Sequence, residues 1–138
     1  MAITGTIVVT WQSIIEPGHT NPVRRCDIFW TADASGNVNG FVGYNGALAR
    51  WTFVPGASPL TVPTDAYDLV LNDVSAIDVF QGTGSNLSAT NTTEWAKWMT
   101  GTDGTNNSAV PRLVCDSLNL VISNAGPGGQ GAIHIYGR

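Results

Sequence analysis

The sequence pattern that comes nearest to a cofactor motif is a glycine-rich segment close to the C-terminal end. Residues 126 to 131 read Gly-Pro-Gly-Gly-Gln-Gly and match the spacing GxGxxG. A dinucleotide site needs a helix that begins at these glycines, because its N-terminal amides bind the pyrophosphate, and an acidic residue about 20 positions later. Here a strand-like run follows, and only seven residues come after Gly131. We therefore expect a turn in this segment and no cofactor.

Four aspartates are the candidates for a metal site: Asp65, Asp68, Asp73 and Asp78. Asp73 lies in a predicted turn, where carboxylate oxygens could ligate calcium. The spacing does not match an EF-hand loop, and carboxylates in turns commonly accept hydrogen bonds from nearby backbone amides. We therefore expect these side chains to cap turns, and we expect no bound metal.

Residues suited to nucleophilic or acid–base catalysis are present but form no recognisable pattern. His19 lies in a loop that contains proline and glycine, and His134 lies on a strand-like run beside apolar residues. The GxSxG pattern that presents a catalytic serine is missing, and no pair of carboxylates stands out. We expect that the protein is not an enzyme.

The two cysteines, Cys26 and Cys115, each lie in a strand-like run, without CxxC or a Cys/His spacing suited to zinc. A disulfide between them would need Cα atoms within about 7 Å, a distance that the sequence leaves open. Residues 1 to 11 have no positively charged start, and their apolar run is interrupted by threonine and glycine. We expect no signal peptide and a reducing cytoplasm, in which two buried thiols are the commoner state.

Length and composition favour one soluble domain spanning residues 1–138. A chain of 138 residues can bury a sizeable core without metal or disulfide support. Charged residues make up only 12%, so threonine, serine, asparagine and glycine must form much of the surface. The net charge is −4 and Lys97 is the single lysine, so the clustered basic face of a nucleic-acid-binding protein is missing. No segment is long and apolar enough for a transmembrane helix, and we expect neither nucleic acid nor membrane as a partner.

Alternation of apolar and polar residues predicts an all-β protein. The last two strands flank the glycine-rich segment and are expected to form an antiparallel hairpin that closes the sheet. A second hairpin is expected at Tyr44-Asn45-Gly46, since Asn-Gly is a strong turn signal. The predicted fold is a compact β-sandwich or barrel-like fold of about eight short antiparallel strands. The clearest strand-like runs are Gly5–Trp11, Arg24–Thr31, Val38–Val42, Ala47–Val54, Tyr67–Leu71, Ile77–Phe80, Leu118–Ser123 and Ala132–Tyr136.

One short helix is predicted after residue 90. Asn91 can cap its N-terminus, and Glu94 three residues later completes a capping-box pattern. Trp95, Trp98 and Met99 would then fall on one helical face.

Five tryptophans raise the possibility of a sugar-binding surface, because indole faces stack on sugar rings. Trp11, Trp30 and Trp51 share strand faces with apolar residues and are expected in the core. Trp95 and Trp98 are expected to face a partner.

Four segments, taken in order, resemble a group of small virion proteins encoded among the head genes of tailed bacteriophages. Each segment alone consists of turn-forming residues next to a strand-like run. Taken in order, the set covers most of the chain from Arg24 onward. An insertion-like loop from Ser13 to Pro22 and the aromatic segment 95–99 depart from the pattern. The segments are Phe29–Gly36, Pro63–Leu69, Ile77–Val79 followed by Gly82–Asn86, and Leu118–Gly126.

The resemblance implies a head decoration, or cement, protein that binds the outer surface of the capsid and stabilises contacts between major capsid proteins. It implies the major capsid protein as partner, self-association as a trimer or dimer, and a place on the capsid exterior after assembly in the host cytoplasm. The sparse charge agrees, because the cores of protein interfaces are depleted in lysine, glutamate and aspartate. The loops Gln12–Pro22 and Thr100–Ala109 and the predicted helix are the expected contact regions. The candidate contact residues are Trp95, Trp98, His19, Asn21, Asn106 and Asn107.

Two other functions fit the sequence. A structural component of the tail or head–tail junction should form rings or tubes by itself. A carbohydrate-binding virion adhesin would require an exposed Trp51 or Trp95.

Overall fold

The computed structural model describes residues 5–14, 23–96, 98–100, 107–109 and 112–137, and these form an all-β protein, as predicted. Every strand pair in them is antiparallel. No helix in the described part is long and apolar enough to cross a membrane. The strands are β1 (Thr6–Ile14), β2 (Val23–Thr31), β3 (Val38–Pro55), β4 (Asp68–Asn72), β5 (Thr93–Ala96), β6 (Trp98–Thr100), β7 (Asn107–Ala109), β8 (Arg112–Ser123) and β9 (Gln130–Gly137).

The long strand β3 organises the main sheet, whose strand order is β1-β2-β9-β3-β8-β4, with β5 also paired to β3. Its N-terminal half pairs with β8, from Val38 opposite Ile122 to Leu48 opposite Arg112. Its C-terminal half pairs with β9 and β5. We call β1, β2, β9, β5 and the C-terminal half of β3 the first arm, and β4, β8 and the N-terminal half of β3 the second arm. Strands β6 and β7 form a separate two-stranded sheet.

Both predicted hairpins are wrong. Strands β8 and β9 do not pair with each other, because β3 lies between them and pairs with both. The predicted turn at Tyr44-Asn45-Gly46 is continuous strand, with Asn45 opposite Cys115 and Gly46 opposite Val114. Gly46 has φ of +145°, a conformation open to glycine, which lets β3 stay extended where Asn-Gly alone favours reversal. The ladder irregularity falls later, between Leu48 and Arg50.

The predicted helix is also wrong, because residues 93–96 and 98–100 form the strands β5 and β6. Strand β5 pairs with β3, from Arg50 opposite Ala96 to Phe53 opposite Thr93. The unpaired side of β3 offers a ladder of hydrogen bonds that an isolated single-turn helix cannot match. The predicted strand at residues 77–80 is a turn region, with one isolated bridge from Asp78 to Asn72.

The buried cluster of apolar side chains draws on both arms and on the loop around Val79, Phe80 and Leu87. Trp30 and Trp51 are buried in it, as predicted. Trp11 is not: it lies under the Arg24 guanidinium, 4.4 Å from the ring centroid, and is 38% exposed.

Two turns in different parts of the fold share one design. In residues 33–37, the Asp33 carboxylate accepts hydrogen bonds from the amides of Ser35 and Asn37, at 2.8 and 3.0 Å. In residues 73–77, the Asp73 carboxylate accepts from Ser75 and Ile77, at 2.9 and 3.0 Å. The backbone bonds also match, since the amide of each fourth residue donates to the carbonyl of the aspartate. The fourth residue has positive φ in both turns, but it is glycine in the first and alanine in the second.

This comparison predicts that Ala76→Gly stabilises the protein by about 0.5–1 kcal/mol. Ala76 has φ of +60°, which glycine adopts without steric cost. The reciprocal change Gly36→Ala should destabilise by at least about 1 kcal/mol, because its Cβ would come within 2.7 Å of the Gly126 amide nitrogen. Urea unfolding of both variants is the measurement. A destabilising Ala76→Gly would mean that the strain at residue 76 is relieved elsewhere.

Three buried side chains, one cysteine thiol and two tyrosine hydroxyls, make the free energy of unfolding depend on pH in the alkaline range. The pKa of the Cys26 thiol is raised to about 12, chiefly by burial and also by the nearby Asp27 carboxylate, while Arg24 acts to lower it. Burial likewise raises the pKa of Tyr44 and of Tyr67 to about 12. Each folded-state pKa lies above the unfolded value, so each contribution is present below pH about 9 and is lost as pH rises toward about 12.

We therefore expect the free energy of unfolding to fall between pH 9 and 12, by up to about 1.4 kcal/mol per pH unit for each group. Urea unfolding at a series of pH values measures this fall. Tyr67→Phe should have a shallower dependence than the wild type above pH 10. Identical slopes for the two proteins would contradict the assignment.

Cys26 is buried and free, as predicted for a thiol, and should resist alkylation at neutral pH.

Candidate binding surface

The predicted contact residues are only partly described. Trp95 lies on β5, directly opposite Trp51 of β3, and is 45% exposed. Trp98 lies on β6 opposite Ala109, and Asn107 lies on β7 opposite Thr100, so these two residues belong to one small sheet but to opposite ends of its ladder. His19, Asn21 and Asn106 lie outside the described residues, as does most of each predicted contact loop; residues 12–14 and 107–109 of those loops are strand.

The acidic residues cap backbone amides, as predicted. Asp65 accepts from the amide of Ala89, and Asp68 accepts from the amide of Asn86. Asp78 accepts from the amides of three residues, at distances of 2.8 to 3.0 Å: Leu71, Phe80 and Gly82. Among the described residues, no three histidine, cysteine or acidic side chains are grouped as they would be around a metal ion.

A different surface emerges on the first arm. Cys26, Ile28 and Trp30 of β2 point into the buried cluster, so Arg25, Asp27 and Phe29 lie on the opposite side of the sheet. We call this side, with the corresponding alternate residues of β1, β9, β3 and β5, the outer face. Its side chains form rows because residues opposite each other in an antiparallel ladder share a face.

The first row of the outer face is apolar. It crosses four strands through the register pairs Val8 to Phe29, Phe29 to Ala132, and Ala132 to Val54. Val8 is 56% exposed and Phe29 is 46% exposed, while Ala132 and Val54 are half-buried. We call these four residues the apolar row. An aligned apolar stripe across four strands differs from apolar residues scattered singly, which need no explanation.

The second row is polar and has a buried carboxylate at its centre. Asp27 is only 2% exposed, and it lies opposite His134 of β9 and Thr10 of β1. His134 Nδ1 lies 2.5 Å from Asp27 Oδ1. Arg25 Nε lies 2.9 Å from the same oxygen, but its N–H is not aligned with that oxygen, so the contact is an ion pair without a regular hydrogen bond. A buried carboxylate is costly unless it is paired, and these two side chains supply the partners.

The arrangement around Asp27 limits what His134 can do. A carboxylate only accepts hydrogen bonds, so Nδ1 of His134 carries the proton in this contact. Phe29 lies edge-on to the imidazole, with ring centroids 6.3 Å apart. Within the described chain, no hydroxyl or thiol is hydrogen bonded to His134. The pair therefore fixes the side chains beside the apolar row and has no nucleophile to activate in this part of the structure.

The third row joins three strands through Arg50. Its guanidinium carbon lies 3.9 Å from the ring centroid of Tyr136, which is opposite it on β9. Its Nη1 lies 3.3 Å from Glu94 Oε1 on β5. Because Arg50 and Glu94 are exposed, the ion pair contributes little stability, and the cation–π contact adds about 0.5–1 kcal/mol. These contacts reduce the freedom of the long side chains and so preorganise the outer face.

Comparison with models of known families, with curated proteins and with solved structures found no match to this chain.

Proposed function

We propose that the protein is a capsid decoration, or cement, protein of a tailed-phage head, which binds the outer surface of the major capsid protein and stabilises contacts between its copies. The observation that carries the proposal is the apolar row, exposed on a sheet whose neighbouring polar side chains are already paired. The resemblance of four ordered segments to phage head proteins directs the choice of partner. Binding that exists only in the assembled shell stabilises the shell by mass action.

The outer face is the contact surface that we favour, and it differs from the contact residues expected from the sequence. Glu94 of β5 lies on this face through its pairing with Thr52, whereas Trp95 lies opposite the buried Trp51 and therefore on the other side of the sheet. Charged groups on this face are already paired within the protein, so docking would desolvate few free charges.

We also infer that the two arms pack face to face as a compact sandwich or barrel-like fold. Two observations support this. Trp30 on β2 contacts Tyr67 beside β4, with ring centroids 5.5 Å apart. A Cβ placed on Gly40 of β3 would come within 2.6 Å of Ile7 Cδ1 on β1. A rigid body of this kind would hold the outer face in one shape on the capsid.

The test is co-sedimentation of the purified protein with capsids that lack it, with stoichiometry counted and capsid melting followed. Saturable binding at a fixed ratio and a raised melting temperature are expected. Phe29→Glu should weaken capsid binding at least about tenfold, because it places a charge in the apolar row. Phe41→Glu is the matched control, since Phe41 is 74% exposed on β3 of the second arm. No binding by the wild type, or equal binding by both variants, would contradict the proposal.

A sugar-binding adhesin is the second candidate, favoured by the exposure of Trp95 and the partial exposure of Trp11. Trp51, the other tryptophan that this function could use, is buried. Titration with glycans, followed by tryptophan fluorescence, separates the two functions, and Trp95→Ala should abolish any response that stacking on this ring produces. Self-assembly into rings or tubes without capsids would instead favour a tail or junction component.

A further inference from the structure

The two edge strands of the main sheet, β1 and β4, differ in how far their outer edges are covered by other segments. Strand β4 is only five residues long, and its outer side is covered by the segment that follows it. The Leu69 amide donates to the Gly84 carbonyl at 2.7 Å, and the Val79 amide donates to the Leu71 carbonyl at 2.8 Å. The Leu71 amide donates to the Asp78 carboxylate at 3.0 Å. This edge is therefore closed to further strands.

Strand β1 has none of these protections within the described residues. It is nine residues long and contains no charged residue, proline or glycine. It pairs with β2 over its whole length, and no other described segment forms a backbone hydrogen bond with it. Soluble proteins usually shorten, charge or cover such an edge, because its free amide and carbonyl groups pair with any extended chain. Within the described part of the chain this edge is open, which makes it a candidate for pairing with a further strand.

We propose that β1 pairs antiparallel with β1 of a second copy about a twofold axis, which joins the two main sheets into one. An antiparallel edge is complementary to itself, since each copy offers the same alternation of donors and acceptors. A twofold axis perpendicular to the sheet keeps the outer faces on one side. The apolar row of one copy would then continue into that of the other, with Val8 at the junction.

Charge favours a second copy as the occupant of this edge. The chain carries a net charge of −4, but β1 contributes none of it, and the acidic cluster Asp65, Asp68, Asp73 and Asp78 surrounds the opposite edge strand β4. Arg24 and Arg25 of β2 lie opposite Ser13 and Gln12, near the end of β1. A dimer centred near Val8 or Val9 therefore brings no like charges face to face. A charged partner would find no complementary group on β1 itself.

The experiment uses the purified protein alone. Sedimentation velocity across a wide range of concentrations should show a reversible monomer–dimer equilibrium. Hydrogen exchange should show that alternate amides of β1, those that face away from β2, become protected only at concentrations where the dimer forms. A mass that stays monomeric, or β1 amides that exchange equally at all concentrations, would overturn the proposal.

Matched lysine substitutions locate the interface. Val8→Lys should weaken the dimer at least about tenfold, because two like charges would meet near the axis. Phe41→Lys, at an exposed site on the second arm, should leave it unchanged. Both side chains are exposed, so circular dichroism should show the same fold in both variants. A dimer that resists Val8→Lys, or that Phe41→Lys disrupts, places the interface elsewhere and overturns the proposal.

This inference goes beyond capsid binding and does not depend on it. Phe29→Glu in the capsid assay tests the outer face, whereas the β1 experiments contain no capsid. If the protein dimerises through β1 but does not bind capsids, the dimer is supported and the proposed function is contradicted.

Discussion

Replacing Trp51 with alanine is expected to lower the free energy of unfolding by about 4 kcal/mol. Trp51 is 1% exposed and packs on Phe80, with ring centroids 5.4 Å apart. Its Nε1 donates a hydrogen bond to Thr83 Oγ1 at 2.8 Å. The side chain thus joins the long strand β3 to the loop after β4. Truncation would leave a large cavity and remove this hydrogen bond, while the Thr83 hydroxyl would keep its donation to the Phe80 carbonyl.

Chemical denaturation of three variants separates these contributions. Trp51→Phe keeps an aromatic ring and should cost roughly half as much as Trp51→Ala. Thr83→Val removes the acceptor for Trp51 Nε1 and the hydrogen bond that the hydroxyl donates to the Phe80 carbonyl, and should cost about 1–2 kcal/mol. A loss below about 1 kcal/mol for Trp51→Ala would show that the surrounding side chains collapse into the space.

Replacing Gly131 with alanine is expected to destabilise the protein by about 3 kcal/mol. A Cβ on Gly131 would lie 2.5 Å from Cζ2 of Trp30 and 2.9 Å from the Val54 carbonyl oxygen. Trp30 is buried and the carbonyl belongs to the neighbouring strand, so neither can move aside without disturbing the core. Overpacking of this kind forces side chains off their rotamers and shifts backbone.

Gly43→Ala is the control for this prediction, because nothing lies within 4 Å of a Cβ at that position on β3. It should be neutral or slightly stabilising, since alanine loses less backbone entropy on folding than glycine. Equal effects of the two substitutions in thermal and urea unfolding would contradict the packing argument.

Steric constraints like the one at Gly131 also account for the other glycines of residues 126–131, the segment that resembles a nucleotide motif. Gly126 and Gly128 have positive φ, and a Cβ on Gly129 would clash with the Ala125 carbonyl oxygen. The glycines are required by a tight connection and by close approach to Trp30. The sequence alone excludes a dinucleotide motif here, because a strand-like run follows the glycines. Only the fold shows the steric reason why these positions are glycine.

The sequence predicted which residues of β2 lie on the outer face, but not which residues of other strands lie beside them. Alternation in β2 placed Cys26, Ile28 and Trp30 on one face, so Asp27 and Phe29 had to share the other. Nothing in the sequence indicated that His134, 107 residues away, would lie opposite Asp27. The sequence predicted Trp95 and Trp98 on one face of a helix, whereas they lie on the separate strands β5 and β6.

Local patterns in the sequence determined that the protein is all-β, that Trp30 and Trp51 enter the core and that Asp73 and Asp78 cap turns. These features depend on neighbours two to four residues apart, so periodicity and turn chemistry are sufficient to predict them. Strand partners were decided only by the tertiary structure. The long β3 separates β8 from β9, keeps Asn45-Gly46 extended and draws residues 93–96 into a strand. In each case a ladder of backbone hydrogen bonds with a distant strand outweighs a local preference of about 1 kcal/mol or less.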